Sequence, residues 1–170
     1  IYDWMLKTTG RAIHFEMDGR DMPPQAKNIK MVAKYLAKEG EHSEKLARAA
    51  ELKGDKISAR SLYRYASEHY REAQHFSIPT MGPRRWELYA KCRECAKRLY
   101  DLLDYPIELV EIPCAGGTIP GVLYLQEDGL ATPTVVFIPG MDNTKENYAN
   151  PLENEFHMRG MNVLAIDGPG

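Results

Sequence analysis

Thr134-Val135-Val136-Phe137-Ile138-Pro139-Gly140-Met141-Asp142-Asn143-Thr144-Lys145-Glu146 is a β-branched and aromatic run that stops at a Pro-Gly pair and then turns polar. A continuous apolar run of this length predicts a strand buried on both faces, the kind found in a parallel sheet covered by helices. Asn143 or Thr144 then stands where a side-chain oxygen can cap a helix, which carries Leu152, Phe156 and Met158 and closes at Gly160. Asn162-Val163-Leu164-Ala165-Ile166 is a second buried strand, ending in Asp167-Gly168-Pro169-Gly170. Strand, helix and strand with short connections predict a right-handed parallel crossover, so the fold class is α/β.

Working back from this unit, Ile107–Ile112 and Ile119–Leu125 predict a β-hairpin turning at Ala115-Gly116-Gly117. Upstream of Pro106 the period changes, because from Gln25 to Leu103 the apolar residues recur at helical spacing. Four helices are expected. The first carries Ile29, Val32, Ala33 and Leu36 and closes at Gly40; the second is capped by Ser43, carries Leu46, Ala49 and Ala50, and stops at Gly54. The third runs from Lys56 to Phe76, and the fourth carries Tyr89, Cys92, Ala96, Leu99 and Leu103 before Asp104-Tyr105-Pro106 ends it. The predicted organisation is a helical region over residues 1–104, acting as a cap or substrate domain, followed by a sheet domain over 105–170 with an antiparallel start and parallel strands after it. No flexible linker separates them, so the two halves are expected to pack together.

Composition narrows the class of function. The chain has 170 residues, a formal net charge of -2 and 44% apolar residues, with basic and acidic side chains interspersed, so no nucleic-acid partner is expected. No apolar run approaches the roughly 18 residues that span a bilayer, and no signal peptide opens the chain, so the expectation is a cytoplasmic protein with no membrane partner. Three cysteines, Cys92, Cys95 and Cys114, do not make a disulfide framework. The chain opens on Ile1 rather than Met and closes on a turn in mid-fold, which predicts a fragment of a longer protein.

Ligands collect at the carboxyl ends of parallel strands, and both strand ends here are glycine turns. Gly140 would let a reacting group approach the backbone, and the Met141 N–H would serve there as a donor to an anionic oxygen; an ordinary strand-to-helix turn is the plainer reading of that segment alone. Taken together, Pro139-Gly140-Met141-Asp142-Asn143-Thr144-Lys145-Glu146 and Asp167-Gly168-Pro169-Gly170 resemble the α/β-hydrolase pattern, in the branch with a helical domain ahead of its core. That branch includes 2,6-dihydroxypseudooxynicotine hydrolase, fungal polyketide-shortening hydrolases of the yellowish-green pigment type and FrsA-like esterases. The helical stretches 59–76 and 84–103 fall where the family has its cap helices, a softer match.

The resemblance implies a serine hydrolase with a Ser-His-Asp triad whose serine follows the next strand in a G-x-S-x-G elbow. Ser43, Ser58, Ser61, Ser67 and Ser77 all lie in the helical half without such flanks, and His157 precedes the elbow, so nucleophile, acid and base are expected beyond Gly170 and the fragment alone is expected to be inactive. What carries over is the oxyanion hole, with the Met141 N–H as donor and Gly140 shaping the turn. The implied reaction is cleavage of an acyl bond in a small-molecule substrate: a C–C bond of a ketone, β-diketone-like or aromatic acyl compound, or a carboxylic ester. A non-catalytic binding protein on the same fold is the remaining alternative. No cofactor and no metal are expected, and a homodimer is a further possibility for the assembly.

Other residues admit two readings. Tyr63, Tyr70, Tyr89, Phe76 and Trp86 either wall a substrate pocket under the helical half or fill its core, with Trp4, Tyr70, Phe76 and Trp86 as the pocket candidates; Trp4 and Tyr2 could equally reach an adjacent subunit. Asp142 and Glu146 either order the turn or favour the positive end of the following helix, the second being the plainer. Cys92 and Cys95 lie mid-helix with no second pair, which predicts buried packing rather than zinc or redox chemistry.

Overall fold

The computed structural model describes residues 26–27, 29–77, 82–126, 131–140, 142–148 and 150–168. Among the described residues three long helices precede the strands: α1 over Ile29–Leu52, α2 over Lys56–His75 and α3 over Pro83–Asp101. The hairpin strands β1 (Ile107–Cys114) and β2 (Gly117–Tyr124) follow, then β3 (Thr134–Phe137), two short helices α4 (Lys145–Tyr148) and α5 (Glu155–Met158), and β4 (Asn162–Ile166).

The helix expected to close at Gly40 does not, and Ser43 caps nothing, because α1 runs through both residues as one element. Gly40 serves a close approach instead: a Cβ there would lie 3.0 Å from the ring of Tyr70 on α2. Small size, not a left-handed backbone, is what the position uses. Gly54 is the true break, with φ +75°. Asp55 then caps α2 by accepting from the Ser58 N–H at 3.0 Å.

Alanines face one another where the helices meet. Ala47, Ala59, Ala66, Ala73 and Ala96 are buried beside Val32, Leu36, Tyr63, Tyr70, Leu88 and Leu99 in one cluster. Cys92 and Cys95 are buried in the same core, on the face of α3 turned to α2. Ser67 on α2 donates to the Cys92 carbonyl at 3.0 Å.

The sheet has strand order β1-β2-β4-β3. β1 and β2 pair antiparallel along their whole length around a tight turn at Ala115-Gly116, where Gly116 takes φ +101°. β4 runs antiparallel to β2 and parallel to β3. Gly121 sits at the middle of this arrangement, and a Cβ there would come within 2.9 Å of Val110 on β1 and 3.2 Å of Leu164 on β4. The sheet core is Val122, Tyr124, Val163 and Ala165, with Tyr100, Tyr105, Phe137 and Phe156 packed against it. Tyr100, near the end of α3, belongs to both clusters and meets Tyr124 edge to face at 6.2 Å.

Two expectations for the sheet half need correction. The single helix between β3 and β4 is two short ones, broken around Pro151, and the second is capped by Asn154 rather than by Asn143 or Thr144. β3 is not buried on both faces: Val136 is 55% exposed and Ile138 68%. Among the described residues β3 is an edge strand, the last in the strand order.

Candidate active site

β3 and β4 are parallel neighbours, so the segments that leave their carboxyl ends emerge side by side. Ile138-Pro139-Gly140 follows β3, and Asp167-Gly168 follows β4. The helical layer packs over this edge through α2 and α3.

Lys145, the first residue of α4, joins the two strand ends. Its backbone N–H donates to Asp167 Oδ1 at 2.7 Å and its ammonium to Asp167 Oδ2 at 2.7 Å. The same ammonium meets Glu146 Oε1 at 2.8 Å and donates to the Tyr89 hydroxyl at 3.1 Å. Lys145 and Glu146 are both buried. Burial alone would pull the Lys145 ammonium down, but Glu146 and Asp167 outweigh it and hold the group above the ordinary lysine range. Tyr89 donates to Asp167 Oδ2 at 3.3 Å, and burial followed by the charge of Glu146 pushes its phenol up to about 12. Glu146 lies in the first turn of α4, where the plainer expectation put it, and there its carboxylate also pairs with the Lys145 ammonium.

A second set of bonds ties the turn to the helices. The Arg71 guanidinium on α2 donates to the Asp142 carbonyl. Asn147 on α4 donates to Ser67 Oγ at 3.2 Å and accepts from Cys92 Sγ at 3.3 Å. The Tyr100 hydroxyl donates to the Glu146 carbonyl at 3.3 Å. Burial pushes the Cys92 thiol up to about 12, so it is a neutral donor and packing group. Among the described residues no group of His, Cys, Asp and Glu is arranged to hold a metal ion.

Gly140 is exposed at the end of β3, and its carbonyl accepts from the Asn143 N–H at 3.0 Å. A Cβ there would meet only Asp142 Oδ1, at 3.4 Å. Internal packing therefore does not demand a glycine; what it provides is open space beside the strand end. Met141 and Trp4 lie outside the described residues. Tyr70 is 0% exposed, with its hydroxyl donating to Glu44 Oε2 at 2.7 Å, which gives it a packing role between α1 and α2. Trp86 is 63% exposed, one helical turn before Tyr89, and Phe76 is half-buried just past the end of α2. Phe76 packs against the helical core cluster, and the Arg85 guanidinium lies 5.9 Å from the Trp86 ring centre. His157 is placed elsewhere: it is stacked on Tyr105 with ring centres 4.0 Å apart and bonded through Nε2 to the Leu125 carbonyl at 2.9 Å, on the amino-terminal side of β4.

Arg71, Tyr89 and Lys145 carry this geometry; of the three only Tyr89 was weighed from the sequence, as a pocket wall or a core residue, while Arg71 and Lys145 were not among the site candidates. Lys145 lies inside the motif quoted for the resemblance, and Asp167 opens its second half. The signal was the pairing of the two motifs, which meet in space through these side chains.

A helical layer on a mixed sheet, with two glycine turns at adjacent parallel strand ends, is the architecture of an α/β-hydrolase fold. The sequence relatives and structural neighbours bear out the resemblance to the branch with a helical region ahead of the sheet. Hydrolase pyiE of Pyricularia grisea is 29% identical over 147 residues, covering 75% of this chain and 31% of that protein. Hydrolase phmG of Phaeosphaeria nodorum is 30% identical over 148 residues, covering 75% and 33%. Among solved structures, 2,6-dihydroxy-pseudo-oxynicotine hydrolase superposes with a TM-score of 0.66 at 26% identity, over 81% of this chain and 38% of that one. AbyA5 shares the fold, with a TM-score of 0.53 at 21% identity over 81% and 34%. No family model matches the chain. The chain spans about a third of the length of the curated relatives it matches.

Proposed function

We propose that this chain supplies the oxyanion turn and the substrate-facing helical region of a serine hydrolase that cleaves an acyl bond. The observation that carries the reading is the buried Lys145–Asp167 link, which locks the two parallel strand ends together while Gly140 stays open beside them. A turn held in this way can present a backbone N–H to the charge that develops on an attacked carbonyl oxygen, and one such donor contributes on the order of 3 kcal/mol of barrier lowering. The donor proposed is the Met141 N–H. The nucleophilic serine, its histidine and its acid belong to other parts of the protein, in the order the family uses, so residues 1–170 alone would not turn over substrate.

The substrate proposed is a small molecule with a ketone, β-diketone-like or aromatic acyl group, cleaved at a C–C bond. The neighbour named for 2,6-dihydroxy-pseudo-oxynicotine supports that class, and Phe76 and Trp86 offer aromatic surface on the helical layer. In this reading residues 1–104 form the cap and 105–170 the start of the core. Assaying the full-length protein on an aryl β-diketone and on the matching aryl ester separates the chemistries. Diketone cleavage exceeding ester cleavage is the expected result, ester cleavage alone would make it a carboxylic ester hydrolase, and activity on neither would favour a binding protein.

A further inference from the structure

Arg71 is 4% exposed, and taking a guanidinium out of water is unfavourable unless its surroundings compensate the charge. Its neighbours on the buried face of α2 are Ser67, Tyr70, Ala73 and Gln74, a face otherwise built of small and aromatic packing. An apolar side chain would satisfy helix packing at that position without the desolvation. What the guanidinium adds is contact with the turn after β3: Nη1 donates to the Asp142 carbonyl, and Nη2 meets Glu72 Oε1 at 3.2 Å. Among the described residues Nε has no acceptor, so the charge is only partly compensated where it sits.

Among the bonds that hold the described residues between Gly140 and Lys145, three act on the backbone from different sides. The Gly140 carbonyl accepts from the Asn143 N–H at 3.0 Å, the Lys145 N–H donates to Asp167 at 2.7 Å, and the Asp142 carbonyl accepts from Arg71. The first is internal to the turn and the second comes from the sheet. The third comes from the helical layer, through a planar group that holds an acceptor more rigidly than an ammonium does. We infer that Arg71 is a positioning residue, which sets the oxyanion turn from the helical side and makes the helical region part of the catalytic geometry as well as a cover. The inference rests on the serine-hydrolase reading. Its physical basis is that a donor misplaced by about 1 Å can cost on the order of 100-fold in rate.

The test uses the full-length protein with Arg71→Met and Arg71→Lys, p-nitrophenyl butyrate as substrate and an alkyl trifluoromethyl ketone as a mimic of the tetrahedral state. For Arg71→Met the expected result is a kcat at least about tenfold lower, a KM within about twofold of wild type, and ketone inhibition weakened in proportion to kcat/KM. Arg71→Lys, which keeps the charge and so guards against a failure to fold, is expected to recover part of kcat while retaining a near wild-type Tm. Wild-type kcat and ketone affinity in folded Arg71→Met would overturn the inference, as would a loss confined to the amount of folded protein. A wild-type protein inert to both compounds and to the aryl β-diketone would instead remove the hydrolase reading, and this inference with it.

Discussion

Lys145 brings its charge to a place where 7% of its side chain is exposed, and it finds Asp167, Glu146 and Tyr89 there. Removing one partner of a buried ionic cluster leaves the others uncompensated, which typically costs about 3–5 kcal/mol. Lys145→Met is therefore expected to lower the denaturation free energy of the full-length protein by about that amount, read from the urea midpoint at constant m-value. A loss of less than about 1 kcal/mol would mean that the cluster is hydrated and screened. The sequence showed Lys145 and Glu146 as neighbours in a polar stretch after a strand. It could not show that Asp167 meets them, because that contact spans the whole crossover and depends on the parallel register of β3 and β4. The same limit hid Arg71, whose partner is a backbone carbonyl with no residue-type signature.

At the scale of elements, helical and strand periods were legible wherever one face is buried, and all three long helices and the hairpin follow them. Gly40 was misread as a helix end because a glycine that closes a helix and one that admits a neighbouring ring look alike in sequence. Its substitution separates the two roles. Gly40→Ala gains about 1 kcal/mol of helix propensity but meets the Tyr70 ring at 3.0 Å, and overpacking of this kind costs about 1–3 kcal/mol, so a net loss of about 1 kcal/mol is expected. That loss should vanish in a Tyr70→Ala background. Gly54→Ala, strained by φ +75° with nothing within 4 Å, should cost about 1 kcal/mol in either background.

α2 also carries a pH response. Burial depresses His69 below its ordinary 6.5 despite the nearby charges of Glu68 and Glu39, and its Nδ1 has no partner among the described residues. A base whose folded value is depressed contributes stability that is present above the unfolded value and is lost as pH falls toward the folded one. Burial raises neighbouring Glu68, whose contribution runs the other way and starts from a lower pH, 4.5. His69→Gln is thus expected to flatten the rise in stability as pH approaches 6.5 from below, measured by urea denaturation at closely spaced pH values. An unchanged profile would show that His69 ionises freely in the fold.

Among the described residues Tyr100 packs against both the helical and the sheet cluster, and the polar junction of Arg71, Tyr89, Lys145 and Asp167 lies between the helical layer and the ends of β3 and β4. The order of helices and strands was legible from composition and period. The cover over β3 was not, because an unbroken apolar run says that a face is meant for burial without saying what buries it. This junction is proposed to serve a serine hydrolase. Treating the full-length protein with a fluorophosphonate and mapping the adduct by peptide mass spectrometry tests it most directly. One modified serine in a G-x-S-x-G sequence outside residues 1–170 is the predicted result; no adduct, or an adduct on Ser43, Ser58, Ser61, Ser67 or Ser77, would contradict it.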